Sequence, residues 1–87
     1  MKQIVTVMEI EGEGLDGLIG QRVTLFCVNY IYTGKLVGVN EKFVKLEDAG
    51  KVFETGPFND KEWKDYQPLP RPVYVMTAAI ESFTVLK

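Results

Sequence analysis

The 87-residue sequence predicts an all-β domain, a small and strongly bent barrel, on three observations. Runs of β-branched and aromatic residues of strand length recur between short polar turns. Apolar residues hold helical spacing for no more than about one turn anywhere in the chain. One strand-like run carries Gly34 and Gly38, which weaken a flat strand but allow the sharp bend that a small curled sheet needs.

In chain order, Lys2 to Ile10 is rich in β-branched types and reads as an N-terminal strand, which Glu11 to Gly14 then breaks. Leu15 to Gly20 has helical spacing, yet Gly17 and Gly20 limit it to a short helical turn. From Arg22 the pattern is that of a strand, with Val23, Leu25 and Cys27 on one face and Thr24, Phe26 and Val28 on the other. A strand wet on one face alternates polar and apolar residues. This one does not, so both faces are covered, by its own core and by a neighbour or another subunit. Tyr30 to Val39 forms the bent second strand, Asn40-Glu41-Lys42 a tight turn, and Phe43 to Leu46 the next strand, up to Glu47-Asp48-Ala49-Gly50. Lys51 to Thr55 extends or re-pairs it.

Residues 56 to 72 hold all four prolines and are too long for a simple turn, so they form one elaborated loop. Asn59 or Asp60 is placed to cap a helical turn that brings Trp63 and Tyr66 to one side. The last strands are Val73 to Met76 and Ile80 to Leu86, separated by Thr77-Ala78-Ala79. Ile80 and Phe83 stand three apart, so a bend or bulge must intervene if both face the core. With no repeat or linker, residues 1–87 are one domain.

Composition narrows the function. A domain of this size buries only about two-thirds of the surface its unfolded chain exposes, so its core is marginal alone and oligomerisation is favoured. A net charge of −2 argues against affinity built mainly on neutralising phosphates, since each phosphate contact needs a nearby cation. The absence of histidine removes the commonest general base and zinc ligand. Cys27, the single cysteine, has no disulfide partner, the apolar run Ile4 to Ile10 is too short to cross a bilayer, and no signal peptide is visible. A reducing, cytoplasmic location without membrane attachment is the expectation.

The stretch Tyr32-Thr33-Gly34-Lys35-Leu36-Val37-Gly38-Val39-Asn40, followed by Phe43-Val44-Lys45-Leu46-Glu47-Asp48-Ala49, resembles the first signature motif of the Sm and Sm-like (LSm/Hfq-like) proteins. Gly20 to Leu25 is similar to the segment that follows the family's N-terminal helix. Val75 to Phe83 is similar to the second motif, the tight connection between the last two strands. The resemblance implies a five-stranded Sm-like (SH3-like) barrel, here with a short N-terminal helical turn and an extra N-terminal strand. It also implies a homo-oligomeric ring in which the family's fourth and fifth strands pair edge to edge with the next subunit, covering edges that would otherwise invite aggregation.

Family members that bind RNA hold bases around the pore with an Asp and an Asn of the first motif, a side chain between them and a basic residue of the second. Here Asn40 stands at the Asp position, Val44 near the missing Asn, and Thr77 and Ala78 where the basic segment would be. What the resemblance leaves is a weakened or altered site for single-stranded RNA made of Asn40, Lys42, Phe43 and Thr77. Phe43 also reads as a core residue and Asn40 as an ordinary turn residue.

Other features carry less. Lys35, Lys42, Lys45 and Lys51 are interleaved with Glu41, Glu47, Asp48 and Glu54, the pattern of a solvated mixed-charge face. Phe58, Trp63 and Tyr66 read equally as a protein-contacting patch and as a cap folded over the barrel end. Asp60, Glu62 and Asp65 alternate with Lys61 and Lys64, which disfavours a metal site, and Cys27 reads as a buried structural thiol. No catalytic constellation emerges. The expectation is a non-enzymatic Sm-like ring protein without cofactor or metal that binds itself and single-stranded RNA. The alternative is a structural or protein-interaction ring module that uses the 56–72 loop.

Overall fold

A computed structural model describes residues 13–87; the expected N-terminal strand over Lys2 to Ile10 lies outside the described residues. A short 3-10 turn, Asp16–Leu18, leads into strands β1 (Arg22–Cys27), β2 (Ile31–Val39), β3 (Phe43–Glu54), β4 (Asp65–Pro68) and β5 (Val73–Met76). A second 3-10 turn, Thr77–Ala79, then leads to β6 (Ile80–Thr84). The strands form one antiparallel sheet in the order β4-β3-β2-β1-β6, with β5 also paired to β3.

β3 is the axis of this arrangement. Its first half pairs with β5 from Phe43↔Met76 to Leu46↔Val73, and its second half pairs with β4 from Gly50↔Pro68 to Glu54↔Asp65. Lys51 to Thr55 therefore extends the strand of Phe43 to Leu46. β4 arises inside the segment read as a loop, so the described residues hold six strands where a five-stranded barrel was expected beside the N-terminal strand. The expected helical turn at Asn59 or Asp60 is replaced by a tight turn in which Asp60 N donates to Pro57 O. Tyr66 is positioned by the β4 ladder instead. Three close prolines masked this strand. Pro68 is tolerated because β4 is an edge, where a missing donor costs little.

The core is made of Val23, Leu25, Leu36, Val44, Leu46, Ala49 and Val75, with Leu15, Leu18, Cys27, Tyr32, Val39, Val73 and Ile80 packed around it. Val23/Leu25 and Val44/Leu46 are period-two pairs that face inward. Thr24 and Thr33, which oppose each other across β1 and β2, are also fully buried. Both faces of β1 are thus covered from Val23 to Leu25. Past the strand's end, Val28 is 66% exposed in the single chain.

Bending is local. The β2–β3 register shifts between Thr33 and Lys35 and again between Leu36 and Gly38. At Gly34 a Cβ would lie 2.8 Å from the Cβ of Ala49 and 3.0 Å from its Cα, so the close strand approach requires glycine there. At Gly38 the nearest atom would be 3.9 Å away, and packing does not demand glycine. Asp48, with φ of 47°, takes the left-handed conformation that Asp tolerates at the corner of β3. The expected bulge near the end of the chain is present. Leu25 opposes Phe83 and Cys27 opposes Ile80, with a register shift between Phe26 and Cys27.

Candidate functional site

The β2–β3 turn and the β5–β6 connection meet at one end of the barrel. Asn40 Oδ1 accepts from the backbone N–H of Lys42 (2.8 Å) and of Phe43 (2.9 Å), an Asx turn that closes the hairpin. Because Phe43 pairs with Met76, Thr77 arrives beside this turn. Its hydroxyl donates to the carbonyl of Glu41 (2.7 Å), and its N–H to that of Lys42 (2.9 Å). Asn40, Lys42, Phe43 and Thr77, far apart in two motifs, are therefore brought together.

Their chemistry is partly spent on the fold. Both acceptor sites of the Asn40 oxygen are engaged, and the Thr77 hydroxyl proton points at a backbone carbonyl. An open cavity of about 280 Å³ is lined by Asn40, Glu41 and Lys42, which bring one charge of each sign. The half-buried ring of Phe43 meets Tyr74 edge to face at 5.3 Å, and Lys45 Nζ lies 5.7 Å from the Tyr74 centroid. Tyr74 is a rim residue that the sequence reading missed. Alternation along Val73–Met76 places it opposite the buried Val75 and would have found it.

The strands on either side of the Thr77–Ala79 turn each have one partner among the described residues, β3 for β5 and β1 for β6. β5 carries Tyr74 and Met76, 55% and 56% exposed, and β6 with the residues after it carries Phe83 and Val85, also exposed. Both edges are thus lined with exposed apolar side chains.

The 56–72 segment folds back on the barrel. Phe58 packs edge to face on Phe26 at 6.2 Å while remaining exposed, and Trp63 and Tyr66 are half-buried. The Tyr66 ring covers Gly50, where any Cβ would enter it. Arg22 Nη2 donates to the Tyr66 hydroxyl at 3.2 Å and Nη1 reaches Asp48 at 3.1 Å. The Asp48 carboxylate is almost fully exposed, so this ion pair adds little. Arg22, Lys61, Glu62, Trp63, Tyr66 and Lys87 line an open cavity of about 350 Å³. Arg22 and Lys87 join Trp63 and Tyr66 only through folding.

Among the lysines read as one face, Lys51 lies over Tyr30 at 4.1 Å. In the acidic segment Lys64 pairs with Glu54 at 3.4 Å, and among the described residues no three acidic or thiol side chains converge to hold a metal. The Cys27 thiol is held above its usual pKa by burial and secondarily by the Glu81 carboxylate, which keeps it protonated and a poor nucleophile. No helix among the described residues is long and apolar enough to cross a membrane.

This geometry defines an all-β Sm-like barrel. The structure is similar to that of a heptameric archaeal Sm protein, with a TM-score of 0.66 and 15% identity over 84% of this chain and 96% of that one. It is also similar to a chain in the crystal structure of the NatC complex bound to CoA, with a TM-score of 0.61 and 17% identity over 92% of this chain and 91% of that one. No family model matches the sequence, and no curated protein is significantly similar to it.

Proposed function

We propose that the chain is a non-catalytic Sm-like protein that forms a homo-oligomeric ring by pairing β5 of one subunit with β6 of the next. The observation that carries this reading is the pair of edges described above. Each is satisfied on one side only among the described residues, and each bears exposed apolar side chains, Tyr74 and Met76 on one, Phe83 and Val85 beyond the other. Head-to-tail pairing of two different edges closes into a ring when the rotation between subunits allows it. The assembly named for the archaeal neighbour, a heptamer, supports this reading.

On such a ring the Asn40–Phe43 turn and Thr77 form an altered site for single-stranded RNA. Lys42 supplies the cation, and the Phe43–Tyr74 pair offers an aromatic surface. Stacking contributes about 1–3 kcal/mol per base, so binding is weak, and with Lys42 as the one cation its salt dependence is shallow. A second reading is a structural ring module that contacts protein through the 56–72 loop. It is favoured by the exposed Phe58 and Phe53, and by the internal use of Asn40 and Thr77.

Native mass spectrometry of the purified chain tests the ring and is expected to give one closed oligomer. A monomer at micromolar concentration refutes it. Titration with oligouridylate and oligoadenylate at low and moderate salt separates the two readings. No binding at low salt removes RNA and leaves the protein-interaction module.

A further inference from the structure

Three backbone carbonyls of one short segment converge on a single point. Those of Thr55, Pro57 and Glu62 accept from Lys87 Nζ at 3.1, 2.9 and 3.0 Å, and the same nitrogen lies 4.5 Å from the centroid of the Trp63 ring. An alkylammonium has three N–H donors on one centre, and all three are matched here. Converging carbonyl dipoles repel one another unless a cation lies between them, and the ring face adds to the same negative potential. Gly56 stands between the first two carbonyls with φ of 65°, a conformation that favours glycine. Lys87 itself lies beyond β6, outside any ladder, on the tether Val85–Leu86.

We propose that the 55–63 segment is a receptor for a primary alkylammonium group, occupied within the chain by Lys87. The receptor discriminates by donor geometry. A guanidinium spreads its donors over a plane, a quaternary ammonium has none, and an N-acylated lysine has lost the charge. Lys87 is thereby a latch joining the end of β6 to the loop that frames the Arg22–Tyr66 cavity. Acylation of Lys87 vacates the receptor and uncovers one face of Trp63, and a lysine presented by another chain competes for the same place. This site depends neither on ring formation nor on RNA.

Trp63 is the only tryptophan, so its emission reports on the receptor directly. In the full chain, Lys87→Ala is expected to shift Trp63 emission and to speed amide exchange over residues 58–63 about tenfold, the loss matching hydrogen bonds to a charged group. Butylammonium chloride at roughly 50 mM, suited to a weak single-group ligand, restores both signals. Tetramethylammonium and sodium chloride at equal ionic strength do not. Lys87→Arg, which keeps the charge without the geometry, restores them only in part. The proposal is overturned if Lys87→Ala leaves emission and exchange unchanged, if butylammonium fails to restore them, or if butylammonium and tetramethylammonium act alike.

Discussion

The two halves of β3 solve the same problem by different means. From Phe43 to Leu46 the strand buries Val44 and Leu46 completely against β2 and β5, and what holds it is apolar contact with Leu36 and Val75. From Gly50 to Glu54 the only buried side chain is that of Val52, beside the buried glycine itself; Phe53 is 53% exposed, and the cover is the short strand β4, held by the Tyr66 ring on Gly50 and by the Arg22 hydrogen bond. Burial of several aliphatic groups spreads the stabilisation over many contacts. A single ring over a single glycine does not. The first half is therefore scaffold, and the second is held to the rest of the barrel by fewer buried side chains.

The sharpest way to break this contrast is Leu46→Ala. It removes a fully buried side chain at the centre of the core and is expected to destabilise the domain by about 2–5 kcal/mol in chemical denaturation. A loss below the lower figure would mean that the first half is not the scaffold. Next in size is Gly50→Ala, whose Cβ would enter the Tyr66 ring. About 1–3 kcal/mol should be lost as β4 is displaced. Much of the new clash should vanish in Gly50→Ala combined with Tyr66→Ala, measured as a double-mutant cycle. Strict additivity would show that Tyr66 does not rest on Gly50.

The smallest effect is expected at the turn. Asn40→Ala deletes an acceptor for two exposed N–H groups and should cost about 1 kcal/mol, with faster amide exchange confined to Lys42 and Phe43 and none at residues 58–63. Acceleration in both places would mean that the two ends are coupled.

These differences follow the limits of pattern reading. Val23/Leu25 and Val44/Leu46 were legible because alternation and burial are the same fact seen along a strand and across it. A bulge does stand between Ile80 and Phe83, but of the two only Ile80 packs against the core, and Phe83 is exposed. β4 was not legible: Asp65–Pro68 has neither alternation nor β-branched residues, and it is a strand because β3 presents an unpaired edge to it. Of the two glycines read as bend residues, only Gly34 is required by a neighbour, and that neighbour, Ala49, stands 15 positions away.

The rim site shows the same division. Asn40 as a turn residue, Phe43 in its strand and Thr77 in its connection were each placed from local chemistry, as was the bent all-β barrel they belong to. That the Thr77 hydroxyl closes onto the Glu41 carbonyl, that Tyr74 lies against Phe43, and that Lys87 ends among three carbonyls more than twenty residues upstream were decided by tertiary structure alone. Alternation and turn preference act over a few neighbouring residues and leave their mark in the order of residue types. A polar contact between segments that meet only after the sheet has curled leaves no such mark.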